Sequence, residues 1–250
     1  TLNRPDSFNA LTRTMNREVK EALDGVAGDD SIGAVVITGA GRAFCSGQDL
    51  RRADEDVSDP ATRVRKDLNE YYAPMILAMR RLPKPVIGAI NGVAAGAGMS
   101  LALATDMRIA SDRASFMQAF SRVGLVPDAG SNYFLPRLVG LPRALELAWT
   151  ARRVGADEAL EIGLVNTVVP GDDLASNAQE MAARLAVGPA LAIGLTKQAM
   201  LKGMESSLPE VLALEAELQA RCIVTDDFAE GVAAFLEKRE PRFGQAPSRT

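Results

Sequence analysis

Two short β-branched runs, "AVVITGAG" (34–41) and "KPVIGAING" (84–92), each end in a glycine turn, and helical periodicity appears at 12–25 and 66–82. Continuous apolar runs of this length suit strands buried on both faces, and such strands belong to sheets that helices cover. Further strands are expected at "RIA" (108–110), "ASFMQ" (114–118) and "LVNTVV" (164–169), with helices at 142–151 and 156–163. From Asp172 the pattern is helical, broken at Gly188-Pro189, Gly203 and Ser206 to Pro209. This alternation predicts an α/β core followed by an all-α part, divided at residues 1–187 and 188–250. Residues 51–62, "RRADEDVSDPAT", are charged and breaker-rich and read as a mobile surface loop.

Several function classes fall away on composition. A net charge of −4 offers no basic surplus to neutralise phosphates, so nucleic acid is not expected as a partner. The longest apolar run, "GVAAGAGMSLALATDM" (92–107), is glycine-rich and shorter than the ~20 residues that span a bilayer, so no membrane partner is expected either. Cys45 and Cys222 are the only cysteines and lie far apart, which suggests a reducing, cytoplasmic setting and no zinc motif. The chain has no histidine. Ser-His-Asp and Cys-His arrangements and imidazole acid–base chemistry are therefore excluded. Proton transfer has to use Asp, Glu, Tyr, Lys, Cys or water. The opening "TLNRP" carries no Met, so natural residues ahead of Thr1 are expected.

Two glycine stretches invite a dinucleotide reading and fail it. "TGAGRAF" supplies Gly39 and Gly41, but Phe44 occupies the place of the third glycine in G-x-G-x-x-G. "NGVAAGAG" sets its glycines at 92, 96 and 98, also out of register. Both could be plain strand-to-helix turns. A lone carboxylate in "VGLVPDAGSNYF" (123–134) poses a similar choice: Asp128 could close a turn, cap a helix, or act as a base aimed into a cavity.

Taken in order, "LNRPDSFNAL" (2–11), "GRAFCSGQDL" (41–50), "KPVIGAINGVAAGAGMSLALATDMRIAS" (84–111), "FSRVGLVPDAGSNYFLPRLVG" (120–140) and "EGVAAFLEKREPRF" (230–243) resemble the enoyl-CoA hydratase/isomerase (crotonase) superfamily. The likeness runs most strongly to the epoxyphenylacetyl-CoA isomerases of phenylacetate catabolism, which share the "FC-x-GQDL", "NGVAAGAG" and "FS-x-x-GL-x-PD" forms. The resemblance implies a crotonase-like ββα spiral core with a C-terminal helical trimerisation segment, assembled as a homotrimer or a dimer of trimers. It implies a CoA thioester substrate, with no metal and no redox cofactor; coenzyme A arrives as part of the substrate.

By the same resemblance, the backbone N–H groups of Gln48 and Ala97 form an oxyanion hole for an enolate, and Gly47 and Gly98 let the backbone approach the thioester. Cys45 and Ser46 would hold the adenine, with Asp49 and Leu50 continuing that CoA-binding loop. Phe235 and Lys238 match a C-terminal helix that reaches CoA, often from a neighbouring subunit. Cys45 is expected to be chemically inert, Asp49 and Asp106 to be structural, and one of Tyr71, Tyr72 or Tyr133 to be able to line the acyl pocket. The two glutamates of the family's hydratases fall at Ser100 and Phe120, which can do neither's work. An isomerase acid instead stands at Asp128, and an apolar Phe120 beside the pocket would raise its pKa. The expected function is proton transfer on an acyl-CoA, with Asp128 as base. Hydration, and non-catalytic acyl-CoA binding, are the alternatives.

Overall fold

The computed structural model describes residues 1–51 and 59–244. Within them the strands alternate between two four-stranded sheets. β1 (Val35–Thr38) enters the first sheet and β2 (Ala43–Cys45) the second; β3 (Val86–Ile90) and β4 (Val93–Ala95), then β5 (Met107–Ser111) and β6 (Ser115–Met117), repeat the step. β7 (Val154–Gly155) ends the second sheet and β8 (Thr167–Val169) the first. The orders are β1-β3-β5-β8 and β2-β4-β6-β7, and every pair is parallel except β6 with β7. Each turn of the chain thus lays one strand in each sheet and returns through helix, which is the expected ββα spiral.

The helices are α1 (Arg13–Ala27), α2 (Pro60–Asp67), α3 (Ala73–Arg81), α4 (Ala97–Ala104), α5 (Ser131–Val139), α6 (Leu141–Thr150), α7 (Ala156–Glu161), α8 (Leu174–Ala186), α9 (Ala190–Gly203), α10 (Leu208–Cys222) and α11 (Asp226–Glu237). α8 lies on the first sheet, where Leu174, Ala178 and Ala182 bury against Ile87, Ala89 and Ile109. The central strand β3 is buried at all five positions and α4 at all eight, so neither shows the one-sided pattern of a surface element. α9 is clasped to the core by one carboxylate. Asp106 accepts Lys197 Nζ at 2.6 Å, Arg80 at 2.9 Å and the Val86 N–H at 2.9 Å, so it is structural as expected.

Several elements depart from the sequence expectation. Of the loop read at 51–62, residues 52–58 lie outside the described residues, while Asp59 caps α2 by accepting the Ala61 and Thr62 N–H groups. The helix expected at 66–82 is interrupted at Leu68–Tyr72 by a wide turn, with the Ala73 N–H reaching back five residues to Leu68 O. Pro74 accounts for it: proline has no N–H and its ring crowds the carbonyl four residues back, so the chain widens just before it. The strand expected at 164–169 starts only at Thr167. Ahead of it the Leu164 carbonyl accepts the buried Arg108 side chain at 2.7 Å, and the Asn166 amide receives the Arg108 N–H at 2.8 Å. Three elements arise in or directly after stretches read as glycine turns: β2, β4 and α4.

Candidate active site

Two glycines bring two separate elements together. Gly47 sits at φ +106°, a conformation L side chains rarely adopt, and a Cβ there would stand 2.9 Å from Ala95 O and 3.6 Å from Ala97 N. A Cβ on Gly98 would stand 2.1 Å from Cys45 O, so the start of α4 rests directly on the β2 backbone. The Gln48 loop is held from its other side: Leu11 donates its N–H to Gly47 O at 2.7 Å and accepts from the Asp49 N–H at 3.0 Å. In such a parallel bridge the N–H of the central residue, Gln48, faces away from Leu11. Ala97 is the first residue of α4, where an N–H has no partner within its own helix. Neither the Gln48 N–H nor the Ala97 N–H donates to another described group. Two preorganised donors therefore lie side by side, one at the positive end of a helix dipole, a geometry suited to holding an oxyanion.

Asp128 is not the cap of α5. That helix is preceded by Gly130 and its start has no side-chain cap; what Asp128 contributes is its backbone carbonyl, which accepts the Ser131 N–H at 3.0 Å. Ala129 and Gly130 follow at φ +48° and +86°, so the chain turns sharply here; positive φ at a non-glycine residue is uncommon and often marks a functional site. One carboxylate oxygen of Asp128 is buried with no hydrogen-bond partner among the described residues. Burial pushes the Asp128 pKa up to about 6. A carboxylate in this state is a stronger base than an exposed one.

The surroundings sort the other expected residues. Cys45 is fully buried, and burial pushes its thiol up to about 12, so it is inert as expected. Its carbonyl lies against Gly98 at the start of α4. Ser46 is exposed, but its N–H is given to Phe8 O at 3.0 Å. Asp49 is occupied internally, bound by Arg4 at 2.7 Å and by the Arg51 N–H at 3.1 Å; the Arg4 side chain holds its pKa below the ordinary carboxylate range. Leu50 is exposed and Phe120 is buried in the main core. Phe235 and Lys238 stand exposed at the end of α11.

Of the three tyrosines, Tyr133 donates to Glu205 at 2.8 Å and stacks under Arg137, while Tyr71 lies under Arg13. Tyr72 alone is buried beside Asp128. Burial first, and then the Asp128 charge, keep its hydroxyl protonated well beyond the usual range.

The model of the enoyl-CoA hydratase/isomerase family matches residues 1–246 of the chain. The chain belongs to this family. It is 46% identical over 97% of its length to a Rhodobacter capsulatus protein described as a probable enoyl-CoA hydratase, covering 92% of that protein. It is 42% identical, over 97% of its length and 93% of the relative's, to the 1,2-epoxyphenylacetyl-CoA isomerase of Escherichia coli. Among solved structures, the enoyl-CoA hydratase of Bacillus anthracis superposes with a TM-score of 0.89 at 38% identity, covering 96% of this chain and 92% of that one. Overall identity thus does not separate hydratase from isomerase; the site has to. Seen as a crotonase site, Ser100 hydrogen-bonds within its own helix, to Gly96 O at 3.3 Å, and Phe120 has no proton to give.

Asn16 was not anticipated. It is fully buried in α1, on the stripe formed by Met15, Val19 and Leu23, where its amide meets the Tyr72 side chain. An asparagine on the apolar stripe of the helix expected at 12–25 was the available signal. Asn9 was missed as well. It clamps the "NRPDSFN" turn, accepting the Arg4 N–H at 2.8 Å and donating to Ala40 O at 2.9 Å and Ala43 O at 2.8 Å.

Proposed function

We propose that this crotonase-family enzyme is an acyl-CoA isomerase that moves a double bond, or opens a ring epoxide, in an enoyl- or phenylacetyl-type thioester. The reading rests above all on Asp128, a carboxylate with a raised pKa and an uncommitted buried oxygen in a site whose two hydratase-glutamate positions hold Ser100 and Phe120. In this mechanism the thioester carbonyl lies against the Gln48 and Ala97 N–H groups. Asp128 removes a proton from the acyl chain, the enolate oxygen is held by the two donors, and the proton returns to another carbon. No metal or redox group takes part, and CoA enters and leaves as part of substrate and product. The 46% identity to the Rhodobacter capsulatus protein favours hydration as the second reading, with Asp128 activating water.

Product analysis on a panel of thioesters decides between them. The panel comprises a 3-enoyl-CoA, crotonyl-CoA and 1,2-epoxyphenylacetyl-CoA, followed by mass spectrometry. Isomers without a mass gain support the proposal, and addition of 18 mass units to crotonyl-CoA as the main reaction would replace it. The pH dependence follows from the same residue. A base has to be ionised to work, so kcat/KM should be flat above about pH 7 and fall tenfold per unit below about 6. A profile with no inflection between pH 5 and 7 would remove Asp128 from the role.

Assembly is part of the proposal. α9 and α10 border an apolar groove of about 820 Å³ that Met200, Val211, Leu212 and Phe228 help to line, and Phe235 and Leu236 are 81% and 74% exposed on α11. Apolar area of this kind is normally covered by a partner. Light scattering at micromolar concentration is expected to give the mass of a trimer or a dimer of trimers. A clean monomer would count against it.

A further inference from the structure

The proposed chemistry needs the Asp128 carboxylate held at a fixed place relative to the two oxyanion donors, and these groups come from different parts of the chain. Ala97 follows β4 directly, whereas Asp128 is reached from β6 only after an excursion over the surface. Ser121 to Val126 are all exposed, so packing along this stretch does not register the base against the donors. A buried bond closes the neck of the excursion. Gln118 donates its Nε2–H to Ser131 Oγ at 2.6 Å, and each of the two residues is 1% exposed.

Each end of that bond leads to one half of the site. On one side Met117, next to Gln118, pairs with Ala95 and accepts the Gly96 N–H at 2.9 Å, just ahead of Ala97. On the other side Ser131 gives its N–H to Asp128 O at 3.0 Å, closing the turn through Ala129 and Gly130. Asn132 reinforces the turn by donating to Pro127 O at 2.5 Å. A continuous line of covalent and hydrogen bonds therefore joins the Ala97 donor to the Asp128 backbone through Gln118 and Ser131. Stability alone does not explain the glutamine. Its Oε1 is buried with no hydrogen-bond partner among the described residues, a cost that an unbranched apolar side chain would not incur.

We propose that Gln118 and Ser131 are positioning residues that fix the Asp128 carboxylate against the oxyanion donors at Gln48 and Ala97. They touch neither the thioester nor the transferred proton, and they act through Asp128. This rests on the reading of Asp128 as the base. A misplacement of about 1 Å can cost roughly 10²-fold in rate, so the bond matters more to turnover than to folding.

The test compares Gln118→Met and Ser131→Ala with the parent on a panel thioester that the parent isomerises. Each should lower kcat by roughly 10- to 100-fold. Affinity for butyryl-CoA, which has no double bond to move, should be unchanged by calorimetry. Tm of Gln118→Met should stay within a few degrees of the parent, because the lost donor bond is offset by removal of the unpartnered acceptor. The double variant should be no slower than the slower single one, since both substitutions break the same contact. Added to Asp128→Asn, Gln118→Met should cause no further loss of the residual rate. Ser131→Ala provides the same readings if Gln118→Met fails to fold. Parent-like kcat in both variants would overturn the proposal, as would a matching loss of butyryl-CoA affinity or a further loss in the Asp128→Asn background. Failure of the underlying reading looks different: Asp128→Asn itself would keep the parent rate.

Discussion

Asp128→Asn is expected to lower isomerisation by roughly 10²–10⁴-fold while the protein melts no earlier than its parent at pH 7. The two halves of that result come from one physical fact. Burial raises the carboxyl pKa from 3.8 to about 6, so ionised Asp128 is less stable in the folded chain than in the unfolded one. A raised pKa contributes stability below about 3.8, and the contribution is lost as pH rises through about 6. At pH 7 the parent protein therefore carries a buried charge that asparagine does not. The difference in Tm should shrink as the pH is lowered toward 4, where both side chains are neutral. A turn or cap role predicts the reverse: near-normal turnover and a loss of about 0.5–2 kcal/mol of stability. Ser100→Ala is the internal comparison, and because Ser100 bonds only to its own helix, turnover should scarcely change. If Asp128→Asn turned over a substrate at the parent rate, the base would have to be sought elsewhere.

The parts of this design visible in the sequence are those where one face of an element meets water or one residue type marks a turn. α1 announced itself by its period, and β1 and β3 by continuous apolar runs closed by glycine turns. β2, β4 and α4 did not, because they are short and almost wholly buried, so no polar face exists to set a period. The spiral repeats in space with no repeat in sequence, since each ββα turn packs against different neighbours and therefore needs different side chains. The glycine stretches could be read only as turns until the resemblance placed them, and the structure adds the reason for two of them in the contacts of Gly47 and Gly98. Asp128 was ambiguous for a different cause: Pro-Asp-Ala-Gly is good capping chemistry, and only the geometry of α5 shows the side chain unused for it.

Ala97→Pro isolates one donor of the oxyanion hole, and it is expected to reduce kcat/KM by roughly 10²–10³-fold or more. Proline removes the N–H outright. At the first position of a helix it costs little, because that N–H is outside the helical ladder and the fixed φ is already helical. Gly96 before it has no side chain for the ring to strike. The ring also occupies space in front of the donor, so thioester affinity should weaken along with turnover. Tm should stay within a few degrees of the parent. Gly98→Ala, one residue on, should behave differently, since its Cβ would be driven against the Cys45 backbone at 2.1 Å in a region with no freedom to part. Overpacking of this kind typically costs 1–3 kcal/mol, roughly, so stability and rate should fall together. Gly25→Ala, whose Cβ meets nothing within 4 Å, controls for substitution of a helical glycine and should leave turnover intact. The informative outcome is the contrast. An Ala97→Pro protein that folds normally and still turns over at the parent rate would mean the enolate oxygen is held somewhere other than at the start of α4.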